Sequence, residues 1–228
     1  MIRIPASAPL FALVGILLAA GPATAGPRPF HVTPVLGLSA GGEVFSASTS
    51  DEEFSWSTPD GETFFAESMR VELDENVLLG LRLGKGITDR LSWEASVAWT
   101  SMNMTAETLT LRRNFDTRNY DEVSATFLEA ALQWDWVDQP TTPYLLAGVG
   151  YSTLGFSERR RTGFDLDQST FSWLVGAGFR WRLLCLEVRD HIMSVDLGDE
   201  EDRLQAETFD GKDTLQVWEI SLGFSASF

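Results

Sequence analysis

The 228-residue sequence is short of several things, and each shortage excludes a class of protein. A single cysteine, Cys185, allows neither an internal disulfide nor a multi-cysteine metal site. With only two histidines, His31 and His191, there are few candidates for general-base chemistry. No apolar run reaches the roughly 18–20 residues that a spanning helix needs. Basic residues are scarce too: 17 Lys and Arg stand against 33 Asp and Glu, a formal charge of −16. That balance argues against nucleic acid, whose affinity rests on Lys and Arg against phosphate. Disorder is excluded from the other side, by nine prolines and a 44% hydrophobic content.

The first 25 residues read as an address. Arg3 gives a positive start, Leu10 to Ala20 a short apolar core, and Ala23-Thr24-Ala25 a small-residue cleavage site. This pattern predicts a Sec signal peptide over 1–25 and a mature domain over 26–228. Gly26, not cysteine, follows the cut, so no lipoprotein anchor is expected.

What the mature chain has in abundance is alternation, the period of a strand. Trp218, Ile220, Leu222, Phe224, Ala226 and Phe228 share one parity, against Val217, Glu219, Ser221 and Gly223 on the other. The same pattern runs through Leu91–Trp99, Leu128–Trp134 and Phe171–Trp181. Weaker versions surround Val32–Leu38, Val77–Leu83, Leu145–Tyr151 and Leu186–Ile192, giving eight predicted strands. Pro34, and Asp190 on the otherwise apolar parity, break the pattern. Short turns are expected near 85–90, 137–142 and 183–185, and long polar loops at about 42–76, 101–124, 152–170 and 192–214. Short and long connections alternate, as in an antiparallel up-and-down transmembrane β-barrel with short periplasmic turns and four long extracellular loops.

Side-chain size decides which face is outside. The polar parity carries Arg82, Glu94, Glu129, Arg180, Arg182, Glu187, Arg189 and Glu219 among glycines. An eight-stranded barrel has room inside for small residues and paired ions, not for rows of tryptophan. The apolar parity must therefore face out, and an apolar exterior of that extent needs lipid. All seven tryptophans in predicted strands fall on it, several near strand ends where aromatic girdles form. On this reading the apolar residues form an outward belt, with no large internal core.

The signal segment, the eight alternating strands, and the segments PYLLAGVGY (143–151), VGAGFRWRL (175–183) and LEVRDHI (186–192) resemble the small outer-membrane β-barrels related to OmpA and OmpX. The resemblance implies that Trp218, Ile220, Leu222, Phe224 and Phe228 form the signal read by the barrel-assembly machinery. It leaves activity open.

The eight lumen charges balance, which predicts a salt-bridged plug, because buried ions persist only when paired. Three functions follow in order: a structural or interaction barrel, a narrow cation-preferring channel, and a lipid-modifying enzyme using His191. The enzyme is the weakest, because Ser194, the nearest serine, faces the other way along a strand. No cofactor and no confident metal site are expected. The first and fourth loops carry most of the negative charge and should flank the same seam. Their acids, Asp51, Glu52 and Glu53 with Asp199, Glu200, Glu201 and Asp202, are candidates for divalent cation binding. Arg112, Arg113 and Arg159 to Arg161 are candidates for lipopolysaccharide phosphate.

Overall fold

The computed structural model describes residues 29–49, 53–57, 63–109, 115–137, 139, 141–156, 168–195, 208–211 and 214–227. The expected signal peptide lies outside these residues. So do Phe228, Arg112, Arg113, Arg159 to Arg161, and six of the seven candidate cation ligands, all but Glu53.

The chain forms β1 (His31–Gly41), β2 (Glu43–Ser48), β3 (Phe54–Ser57), β4 (Thr63–Ala66), β5 (Ser68–Leu73), β6 (Asn76–Gly86), β7 (Leu91–Leu109), β8 (Phe115–Asp135), β9 (Thr141–Phe156), β10 (Gln168–Trp181), β11 (Leu184–Ser194), β12 (Thr208–Gly211), β13 (Thr214–Phe224) and β14 (Ala226–Ser227). Eight of them, β1, β6, β7, β8, β9, β10, β11 and β13, pair antiparallel in a ring that closes between β13 and β1. The expected up-and-down barrel is therefore the observed one. Closure joins Val35 to Gly223 and Gly41 to Val217, and β12 pairs with β2 above it, so the first and fourth loops do flank one seam.

Alternation places the apolar parity outside. Leu36, Leu79, Leu132, Leu145, Trp173, Ile220 and Leu222 are all exposed, on every side of the ring. Trp99, Trp134, Trp136, Trp173, Trp181 and Trp218 are exposed with them.

The strands are longer than a membrane requires. A tilted strand crosses in roughly 9–11 residues, yet β7 has 19 and β8 has 21. Much of the expected second loop, and part of the first, is sheet: β2, β5 and the upper parts of β7 and β8 continue the wall past the apolar belt. The surplus is marked by an exchange of polarity between the two faces. Lower β7 has Trp93, Val97 and Trp99 outside and Glu94 and Ser96 inside; upper β7 has Ser101, Asn103 and Glu107 outside and Met102, Met104 and Ala106 inside. Such an exchange is what a continuous wall needs where an aqueous surround takes the place of lipid: the apolar side chains go to the interior.

That interior is a true hydrophobic core, which corrects the expectation of an outward belt alone. Phe45, Met69, Val71, Met102, Met104, Val123, Phe127, Met193 and Leu215 are at most 2% exposed and belong to one cluster. The β3–β4 hairpin adds Phe54 and Ala66 to it.

Two local departures have direct causes. Pro34 lies inside β1 and does not end it. It interrupts the ladder on the seam side: pairing with β13 stops at Val35 and resumes with β14 at Val32, while the Ser225 N–H donates to the Leu183 carbonyl instead. A proline has no N–H to give, so the gap falls at its position. The second departure is the β10–β11 hairpin, where Trp181 pairs with Leu184 across a two-residue turn and Arg182 has φ 55°. The turn comes earlier than the expected 183–185, and Leu184 and Cys185 are already strand.

If the upper section folds by its own core, Met104→Ala should cost about 2–5 kcal/mol of stability. Urea unfolding of the bilayer-refolded protein checks this, and a midpoint equal to wild type would count against the core.

Candidate functional site: the ionic lattice of the lumen

Below the apolar core, the polar parity of five strands converges on one cluster. Arg82 comes from β6, Glu94 and Ser96 from β7, Glu129 from β8, Glu187, Arg189 and His191 from β11, and Glu219 and Ser221 from β13. All are buried. Arg82 reaches two carboxylates: its Nη1 lies 2.9 Å from Glu187 Oε1 and its Nη2 2.5 Å from Glu219 Oε1, with a further bond to Ser221 Oγ at 2.9 Å. Arg189 is the hub. It pairs with Glu94, Glu187 and Glu129, and donates to Ser96 Oγ at 3.3 Å. Guanidinium suits this position, because its planar fork satisfies several acceptors at fixed angles.

His191 completes the lattice from above. Its Nδ1 lies 2.5 Å from Glu129 Oε1 and its Nε2 3.3 Å from Glu219 Oε2. Each ring nitrogen thus faces one carboxylate oxygen, from β8 on one side and β13 on the other. The ring also stacks on Phe127, with centroids 4.2 Å apart, at the join between lattice and apolar core.

A second group sits nearer the short turns. Arg180 Nη1 bonds Asp135 Oδ2 at 3.0 Å, Gln133 Nε2 bonds Asp135 Oδ1 at 2.6 Å, and Tyr144 donates to Glu187 Oε2 at 2.6 Å. Glycine makes room for these long side chains. A Cβ on Gly178 would lie 2.3 Å from the Tyr144 ring, and one on Gly150 would lie 2.7 Å from Glu129 Cγ. Beneath them is a cavity of about 120 Å³, bounded by Arg82, Glu94, Tyr144, Arg180 and Glu187. The lattice is its inner wall.

Seven of the eight expected lumen charges are in the lumen. The eighth, Arg182, stands at the mouth: the two-residue turn removes it from the strand parity and leaves it exposed on the rim of the same cavity. Arg180 is spoken for by Asp135, so the central cluster sets four carboxylates against two guanidiniums and one imidazole. The expected balance of four against four is thus corrected. Sequence reasoning had missed Asp135, Tyr144, Ser96, Gln133 and Ser221 as members, although all five share the inward parity of their strands.

The nucleophile question has a geometric answer. Both His191 nitrogens face carboxylates, and Ser194 is exposed on the opposite parity. Among the described residues no group of His, Cys, Asp and Glu is arranged to hold a metal ion. Trp218, Ile220, Leu222 and Phe224 of the expected assembly signal line the outer face of β13.

Among solved structures the chain is similar to the crystal structure of the outer membrane protein OprG from Pseudomonas aeruginosa, at 14% identity and TM-score 0.52 over 89% of this chain and 99% of that one. The fold is that of the small outer-membrane β-barrels. Neisserial surface protein A is more distant, at 12% identity and TM-score 0.45 over 87% of this chain and 97% of that one. So is the outer membrane enzyme PagL, at 12% and 0.40 over 85% and 98%. No protein-family model and no curated protein matches the chain.

Removing the hub should be costly. Arg189→Met leaves Glu94, Glu129 and Glu187 facing one another, with an expected loss of about 3–5 kcal/mol. Arg180→Met, at a pair nearer solvent, should lose clearly less. Urea unfolding of both variants in the same lipid tests the ranking, and equal losses would contradict a central role for Arg189. In Gly178→Ala the new methyl should displace the Tyr144 ring from Glu187, visible as a changed near-ultraviolet circular dichroism signal at unaltered strand content.

Proposed function

We propose that the chain is a closed, non-catalytic barrel of the outer membrane, whose role is structural and interactive and is exerted from the outer end of its wall. The observation that carries this reading is the sequence of materials along the axis. An ion-paired lattice crosses the bore, and a buried apolar core that includes Phe and Met stands directly above it. Ions moving along the axis would have to break the first and be desolvated by the second, where an unpaired charge costs several kcal/mol.

The extended wall supports the interactive part. With β2, β5 and the upper parts of β7 and β8 built as sheet around a core, the outer end is an ordered platform for the surface loops. The absence of enzymatic work is supported by His191, whose ring is held between Glu129 and Glu219 and not beside a serine. The cation-channel alternative has the acidic character of the sequence in its favour and the filled bore against it.

Planar-bilayer recording on the refolded mature chain tests the proposal. The expected result is a baseline without step-like openings; stable, cation-selective steps would overturn it. Insertion into the same bilayers, followed by protease protection, separately tests the membrane placement.

A further inference from the structure

Asp190 is the one charged side chain on the outer faces of β10, β11 and β13. Its neighbours in sequence, Arg189 and His191, point into the lumen, and its partners across the ladders are Trp218 and Val175, both exposed on the apolar belt. Trp173 stands one step further up, opposite Ile192. Val188 and Ile192 flank Asp190 along β11, and Gln216 lies diagonally across on β13. Despite facing out, Asp190 is only 6% exposed, because larger side chains surround it. Its Oδ1 is buried and has no hydrogen-bond partner.

A carboxylate in this setting is a cost to the fold. Valine at 175 and 188 and isoleucine at 192 show what the surface otherwise carries, and ionisable groups exposed to lipid are disfavoured. The backbone of the wall has no donor to spare, since its N–H groups are committed to the ladders on both sides. No cationic side chain stands on these three outer faces. A donor for Oδ1 must come from the surroundings.

Height narrows the chemistry. Asp190 lies near the top of the belt: above it on the outer faces come Ile192 and then Ser194 on β11, and Gln216 and Thr214 on β13, while on β10 the aromatic Trp173 and Phe171 reach the level of Ser194. This is the level of the lipid head groups, where Trp side chains collect. The two indole side chains beside it on the ladders, Trp218 and Trp173, favour a positive donor over a neutral one, since a cation can lie over an indole face.

We propose that Asp190, framed by Trp173 and Trp218, is a binding site on the barrel wall for the primary ammonium of a lipid head group. Oδ1 is covered in this structure, so the side chains around it turn aside as the ammonium enters and donates to it. The inference rests on the belt lying in lipid and is independent of whether the bore conducts.

The test uses the full mature chain refolded into nanodiscs of phosphatidylcholine, phosphatidylethanolamine and phosphatidylglycerol in equal parts, followed by release and native mass spectrometry of the lipids retained. Choline is cationic but has no N–H, and glycerol has hydroxyls but no cation, so the three head groups separate the contributions. Wild type should retain phosphatidylethanolamine over phosphatidylcholine by about tenfold, corresponding to about 1.4 kcal/mol. Asp190→Val, matching its neighbours, should fold with unchanged circular dichroism and lose that preference. Asp190→Glu should keep part of it. Equal retention of the three lipids by wild type, or an undiminished preference in Asp190→Val, would overturn the proposal. So would self-association in cross-linking that Asp190→Val abolishes, since the partner would then be protein. Failure of all variants to enter the nanodiscs would instead refute the membrane placement on which the site depends.

Discussion

A sheet surrounded by lipid has no water to satisfy its edges, and the whole architecture depends on removing them. The pairing of β1 with β13 does this, and once it is made the remaining choices narrow. Eight strands in a closed ring leave a bore that side chains must fill. Alternation then sends half of each strand into that bore and half into lipid. The polar side chains that fill the lower bore must satisfy one another, because little else can reach them. Arg82, Arg189 and His191 among four glutamates are the consequence of closure as much as of any later function.

The outer end obeys the same geometry under a different solvent. The wall continues in β2, β5, β7 and β8, and the alternation continues with it, but the faces exchange polarity near Trp99 on β7 and Thr126 on β8. Below this level Glu94 and Ser96 face in; above it Met102 and Met104 do. The exchange marks where the lipid ends more sharply than any loop boundary does.

This explains which parts could be read from sequence. Period two and the glycines on the polar parity were enough for the ring, the outward tryptophans and most of the lumen charges, since each follows from alternation alone. Arg182 was misplaced because parity has meaning only while the strand lasts, and the two-residue turn begins one residue before it was expected. The upper core was missed because Ser101, Asn103, Thr105 and Glu107 read as a polar loop unless Met102, Met104 and Ala106 are recognised as the inner face of the same strand. Which arginine meets which glutamate was not legible at all. It depends on stagger between strands far apart in sequence, as with Arg82 of β6 and Glu219 of β13.

The lattice and the methionine core also differ as materials. Charged struts tie β6, β7, β8, β11 and β13 together across the bore, at distances set by hydrogen-bond geometry, so the lower section resists being flattened by lateral pressure from the bilayer. Methionine is flexible and adapts its shape to its surroundings. Met69, Met102, Met104 and Met193 therefore make the upper section the more compliant one. The barrel is stiffest where the membrane squeezes it and yields most where its loops meet the outside.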